Sequence, residues 1–143
     1  MFFKSIETEI KFNLLVWGSC SIIGGATFIY FDNDFMKTLG FQFIIWGLIE
    51  SIIAIGPSIL RSIRKKPHIE NLAKLKNILI INVFLDIVFV VVGSLIFVGI
   101  FEIYQYNGHG LGVIIQGSFL VIFNTYYTII IIQKGQLWKR RKY

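Results

Sequence analysis

Four long apolar runs, separated by short polar stretches, dominate the chain. They cover residues 12–31, 40–60, 77–101 and 111–132. Crossing the roughly 30 Å hydrocarbon core of a bilayer takes about 20 helical residues, and each run is of that length. None alternates apolar and polar positions as a lipid-facing barrel strand does. Inside lipid every backbone group must bond within its own segment, so helices are the solution left. The expected fold is an all-α integral membrane protein, a four-transmembrane-helix antiparallel bundle, with residues 1–143 as a single membrane domain. Short connections make consecutive helices the expected antiparallel neighbours.

The basic residues give the runs a direction. Lys4 and Lys11 precede or open the first run, and Arg61, Arg64, Lys65, Lys66, Lys74 and Lys76 fill the loop 61–76. Lys134, Lys139, Arg140, Arg141 and Lys142 follow the fourth run, while Lys37 alone lies on the opposite side. Thirteen basic residues against one predict a cytoplasmic N-terminus, a cytoplasmic C-terminus and a cytoplasmic loop 61–76 in a multi-pass protein of the cell membrane. Tyr30, Tyr104 and Tyr106 at the outer boundary, and Trp138 just past the inner end of helix four, suit the aromatic belts of such a protein. Arg61, Arg64, Lys65, Lys66, Lys139, Arg140 and Arg141 are expected to touch anionic lipid head groups. The loop 61–76 is expected to hold a short surface helix, with Pro67 in its first turn and Ile69, Leu72, Ala73 and Lys76 near one face.

Composition adds exclusions. The chain is 55% hydrophobic with a mean hydropathy of +0.71, beyond the roughly 45–50% apolar content of soluble domains. A net charge of +6 would suit nucleic acid. The charges, however, flank apolar runs, so lipid is the expected partner and nucleic acid is not. Cys20 is the only cysteine, which rules out an intrachain disulfide and a Cys-rich metal site. His109 lies in the outer Gly-rich turn with only Glu102, Asp32 and Asp34 expected nearby, so no metal site is expected. The chain has no nucleophile elbow, HExxH, P-loop or Rossmann motif; neither an enzyme nor a cofactor is expected.

The chemistry concentrates in a few polar positions inside the runs. Glu50 and Asp86 each lie about nine or ten residues from a helix end, hence near the bilayer midplane at about 1.5 Å per residue. A charge there costs at least about 2.5–3.5 kcal/mol, so such residues face the bundle and find partners. Asn82 and Asp86 share one face of helix three, and Asn124 and Thr128 share one of helix four, with Gln116 about two turns away. Helix one offers Trp17, Ser21 and Thr27. The polar seam Glu50, Asn82, Asp86, Gln116 and Asn124 reads either as a proton or cation site or as hydrogen-bonded packing between helices. Gly18, Ser21 and Gly25 on helix one, with Cys20 and Gly24 beside them, and Gly108 and Gly112 on helix four mark close packing or dimerisation. Pro57 is expected to kink helix two. Inverted repeats of the transporter kind are not evident.

Residues 42–54, with Trp46, Gly47 and Glu50, residues 82–86 and the Gly-rich residues 110–120 with Gln116 and Gly117 together resemble a family of small four-helix membrane proteins known only as a domain of unknown function. The resemblance covers roughly residues 40 to 125. The family pattern implies Trp46, Asn82, Asp86, Gln116 and Gly117 as kept positions. It also implies an Asn where this chain has Glu50 and an Asp where it has Asn124. These departures shift one carboxyl across the polar seam and point to a coupled network. The leading expectation is a structural, regulatory or accessory membrane component. The alternative is a small proton- or cation-linked transporter or channel, dimeric in assembly, using Glu50 and Asp86.

Overall fold

The computed structural model describes residues 2–64, 72–99 and 107–140. They form four helices: α1 (Phe2–Ile29), α2 (Asp34–Arg64), α3 (Leu72–Phe97) and α4 (Asn107–Arg140). No strand occurs among the described residues. Each helix contains a stretch long and apolar enough to cross a membrane: Ile6–Ile29, Asp34–Gly56, Ala73–Phe97 and Asn107–Lys134.

The helices overrun the apolar runs, chiefly at their basic ends. The hydropathy signal stops at the first charges, but the helix does not. In α1 the extra turns carry an ion pair between Lys11 and Glu7 at 2.7 Å, one turn apart, and bury Ile6. Residues 61–64 and 72–76, expected in a loop, are the last turn of α2 and the first turns of α3. Leu72, Ala73 and Lys76 therefore belong to α3 and not to a separate surface helix; Lys65, Lys66, Pro67 and Ile69 lie outside the described residues. Helix α2 continues through Pro57 to Arg64.

Local chemistry sets the boundaries at the other end. Asn33 caps α2, its side-chain oxygen accepting from the Phe35 backbone N–H at 2.8 Å. Helix α3 stops at Phe97, four residues short of the apolar run, because Gly99 adopts φ 77°. Its N–H turns back to the Ile96 carbonyl at 3.1 Å.

Polar side chains lie inside beside an apolar core that includes Leu14, Leu79, Phe123 and Tyr127, and the exterior is apolar. Ser21, Glu50, Asp86, Gln116 and Asn124 are buried, whereas Phe12, Ile23, Ile52, Phe84 and Ile122 are exposed. Such an exterior suits lipid, where helix association depends on close packing and interhelical hydrogen bonds.

Glycines set the packing. A Cβ on Gly25 would stand 2.5 Å from the Gly40 carbonyl oxygen, and one on Gly40 would stand 2.5 Å from that of Gly25. Gly18 and Gly47 meet in the same reciprocal way, so α1 and α2 touch backbone to backbone along an antiparallel hairpin. In the second hairpin Gly93 of α3 meets Gly110 of α4, and Gly117 lies against the Asp86 carbonyl. The two hairpins join mainly where α2 packs on α4. There Gly108 admits Phe35 and Thr38, and Gly112 admits Gln42. Consecutive helices are thus close neighbours within each hairpin, but α2 and α3 barely meet along their backbones. That departs from the expected order of neighbours and leaves a gap.

Candidate functional site

The gap between α2 and α3 is a cavity of about 630 Å³. Trp46, Ile49, Glu50, Ile53 and Ala54 of α2 form one wall, and residues from Lys74 to Phe89 of α3 form the other. Ile10, Lys11 and Leu14 of α1 and Leu120, Phe123 and Asn124 of α4 close its back. Its volume lies within the roughly 300–1,000 Å³ of small-molecule sites.

The cavity has a direction. Glu7, Lys11 and Lys74 stand at the basic end of the bundle. One turn beyond Glu50 and Asp86 toward the other end, Trp46 and Phe89 meet edge to face, with ring centroids 5.2 Å apart. The side facing away from α1 and α4 is edged by Ile49, Ile53, Ile78 and Leu85, all substantially exposed. The cavity therefore opens sideways onto the apolar exterior as well as toward the basic end.

Four of the five expected seam residues line this space: Glu50, Asn82, Asp86 and Asn124. Asn124 donates its amide N–H to Asp86 Oδ2 at 2.7 Å, so α3 and α4 are bonded where both are buried. Glu50 differs. It is 1% exposed, and among the described residues neither carboxylate oxygen has a hydrogen-bond partner. It packs beside Gly18 of α1, whose missing side chain leaves it room. Asp86 of α3 lines the same cavity.

Gln116 belongs to a different place. It is fully buried on the α1 side of α4, accepting from Trp17 Nε1–H at 2.7 Å and donating to Ser21 Oγ at 2.9 Å. Trp17 also stacks on Phe119, centroids 3.9 Å apart and planes within 9°. The single seam of five is two sites: a closed clamp at Gln116 and an open cavity at Glu50. Thr128 joins neither, since its hydroxyl bonds the Asn124 backbone carbonyl at 2.7 Å, and Thr27 likewise bonds the Ile23 carbonyl.

Sequence reasoning missed Asn13, which donates to the Tyr127 hydroxyl at 2.7 Å. The sign was present, an Asn near the start of an apolar run, but Tyr127 reads as apolar bulk until its hydroxyl finds a partner. The small residues expected to mark packing or dimerisation divide as well. Gly18 and Gly25 are consumed within the hairpin, whereas Cys20 is exposed and a Cβ on Gly24 would meet nothing within 4 Å. His109 Nδ1 lies 3.2 Å from Gln42 Oε1. No group of three metal-ligating side chains occurs among the described residues, and Glu102 lies outside them. Of the expected lipid contacts, Arg61, Arg64, Lys139 and Arg140 lie on the last turns of α2 and α4. Lys65, Lys66 and Arg141 lie outside the described residues.

Residues 13–125, which include the cavity lining except Glu7, Ile10 and Lys11, match the model of a family of unknown function, DUF6992. The chain belongs to that family. The DUF6992 match covers the glycine contacts, the Gln116 clamp and the Glu50, Asp86 and Asn124 side of the cavity alike. No curated protein and no solved structure matches the chain. For this DUF6992 protein, then, the site itself carries the functional reading.

Proposed function

We propose that this DUF6992 protein is a multi-pass membrane protein of the cell membrane, with both ends cytoplasmic, that binds a cation at Glu50 in exchange for a proton and carries it across the bilayer. The observation that supports this is Glu50 itself, buried beside a cavity with both oxygens unpartnered. A carboxyl used as packing glue is hydrogen-bonded, as Asp86 is to Asn124. An unpaired carboxylate inside a bilayer is costly, so a proton neutralises it when the cavity is empty and a cation does so when it is filled. The cavity reaches the basic end past Glu7, Lys11 and Lys74, and Trp46 against Phe89 separates it from the other end. That is the arrangement of a carrier open to one side. The accessory role keeps support from the Gln116 clamp, whose hydrogen bonds hold α1 to α4.

The test uses the full chain in liposomes loaded with a pH-sensitive dye. Gradients of sodium, guanidinium or tetraethylammonium are imposed in turn. At least one is expected to drive proton movement that Glu50→Gln abolishes and Asp86→Asn reduces. Equal proton movement in wild-type and Glu50→Gln liposomes for every cation contradicts the reading.

A further inference from the structure

The two hairpins repeat one another. Residues 40–54 of α2 and 110–124 of α4 share glycines at their first and eighth positions and isoleucines at the fifth, sixth and thirteenth, seventy residues apart. The register is structural too: Gly40 meets Gly25 as Gly110 meets Gly93, and Gly47 lies on the Gly18 carbonyl as Gly117 lies on that of Asp86. With α2 packed on α4 between them, α1 against α4 corresponds to α3 against α2. This is a parallel repeat, not the inverted kind.

The two equivalent crevices differ in what fills them. Between α1 and α4, Trp17 stacks on Phe119 and bonds Gln116. In the repeat register Leu85 stands for Trp17, Ile49 for Phe119 and Trp46 for Gln116. The α2–α3 crevice thus lacks the stacked ring pair that closes its twin, and Leu85 and Ile49 border its opening to the apolar exterior. Beside the missing rings lie the unpartnered Glu50 carboxyl and the edge-to-face pair of Trp46 and Phe89.

We propose that the α2–α3 crevice binds a hydrophobic organic monocation bearing aromatic rings, which enters sideways from the lipid between Ile49 and Leu85. The proposal rests on the reading of Glu50 as a cation site and names what that site takes. Its rings occupy the space that Trp17 and Phe119 fill in the twin, and Trp46 and Phe89 offer aromatic contacts to a cation. Its charge answers Glu50, with Asp86 lining the same cavity. Glu7, Lys11 and Lys74 flank the mouth at the basic end, where Lys11 is paired with Glu7, whereas the sideways opening is edged by the apolar Ile49 and Leu85 that suit a hydrophobic ligand.

Tetraphenylphosphonium and tetraphenylborate are close in size and shape and opposite in charge, and each is read after subtracting its uptake by empty nanodiscs, which take up the borate far more strongly. Each is titrated by calorimetry into the full chain in phosphatidylcholine nanodiscs. Saturable binding of the phosphonium is expected, at least about tenfold weaker in Glu50→Gln and similarly weakened in Leu85→Trp, which restores the missing ring. Ile49→Phe is the second slot-filling variant, read if Leu85→Trp does not elute as a single species. Equal binding of the borate, or unchanged phosphonium binding in Glu50→Gln or in the folded slot-filling variant, overturns the proposal. Absence of phosphonium binding overturns it too. If a gradient of sodium, guanidinium or tetraethylammonium still drives Glu50-dependent proton movement in that case, the cation-carrier reading stands without it. If none does, both fall.

Discussion

Asn124 reaches Asp86 across the interface of α3 and α4 at 2.7 Å, and in doing so divides the two acids of the cavity into one that is bonded and one that is not. Asp86 is held by a neighbouring helix, while Glu50 faces the same space without a hydrogen-bond partner among the described residues. The first arrangement stabilises a bundle. The second leaves a group ready for a ligand.

The Asn124–Asp86 bond should matter for stability. Asn124→Leu leaves the buried Asp86 carboxyl without its amide donor, at a cost of about 1–3 kcal/mol. Unfolding of the purified protein in detergent, followed by circular dichroism, should show that loss. Replacing both residues with Leu should recover part of it, since no polar group is then stranded.

The glycine contacts predict a sharp contrast between neighbouring positions. In Gly25→Ala the new methyl would meet the Gly40 carbonyl oxygen at 2.5 Å, forcing α1 from α2, whereas a Cβ on Gly24 or Gly56 meets nothing within 4 Å. Gly25→Ala is expected to lower the unfolding temperature and the yield of folded protein clearly. Gly24→Ala should leave both within error, because exposed changes away from such contacts typically cost less than about 0.5 kcal/mol.

The clamp at Gln116 is separable from the cavity. Gln116→Leu strands the Trp17 indole N–H and the Ser21 hydroxyl, both now bonded to it, and should cost about 1–3 kcal/mol of stability. Cation-driven proton movement, measured in liposomes on the protein that remains folded, should persist. Its loss in a folded Gln116→Leu protein would tie the two sites together.

Topology is open to a labelling test. In a Cys20→Ser background, a cysteine at Asn33 should react in intact cells with a maleimide that does not cross membranes. One at Lys142 should react only after the membrane is opened. The reverse pattern would invert the assignment drawn from the thirteen basic residues on one side.

The four helices were legible because 20-residue apolar runs have few other uses. Their ends were not, since an ion pair such as Lys11–Glu7 carries a helix past the point where hydropathy falls. The nearness of Glu50 and Asp86 could be read from their common midplane depth, and Asn124 joins them through the family pattern, which implies an Asp there and an Asn at Glu50. Gln116 was wrongly joined to them. Eight residues separate it from Asn124, about 12 Å along the helix and turned toward α1, where Trp17 waits. The gap between α2 and α3 was illegible, because it follows from which glycines meet which carbonyls and not from the order of helices. The identity of the family was readable from residues 42–54, 82–86 and 110–120, and the DUF6992 match spans all three.

The claim on which everything else depends is that Glu50 faces an accessible cavity. The most direct measurement treats the protein in liposomes with dicyclohexylcarbodiimide, a lipid-soluble reagent that adds to carboxyl groups, and maps the adduct by mass spectrometry. Glu50 is expected to be the main site of modification, labelled faster than the Asn124-bonded Asp86, and slowed by a cation that fills the cavity. An unmodified Glu50, in folded protein under conditions that label Asp86, would contradict the claim and make the interior a packed one.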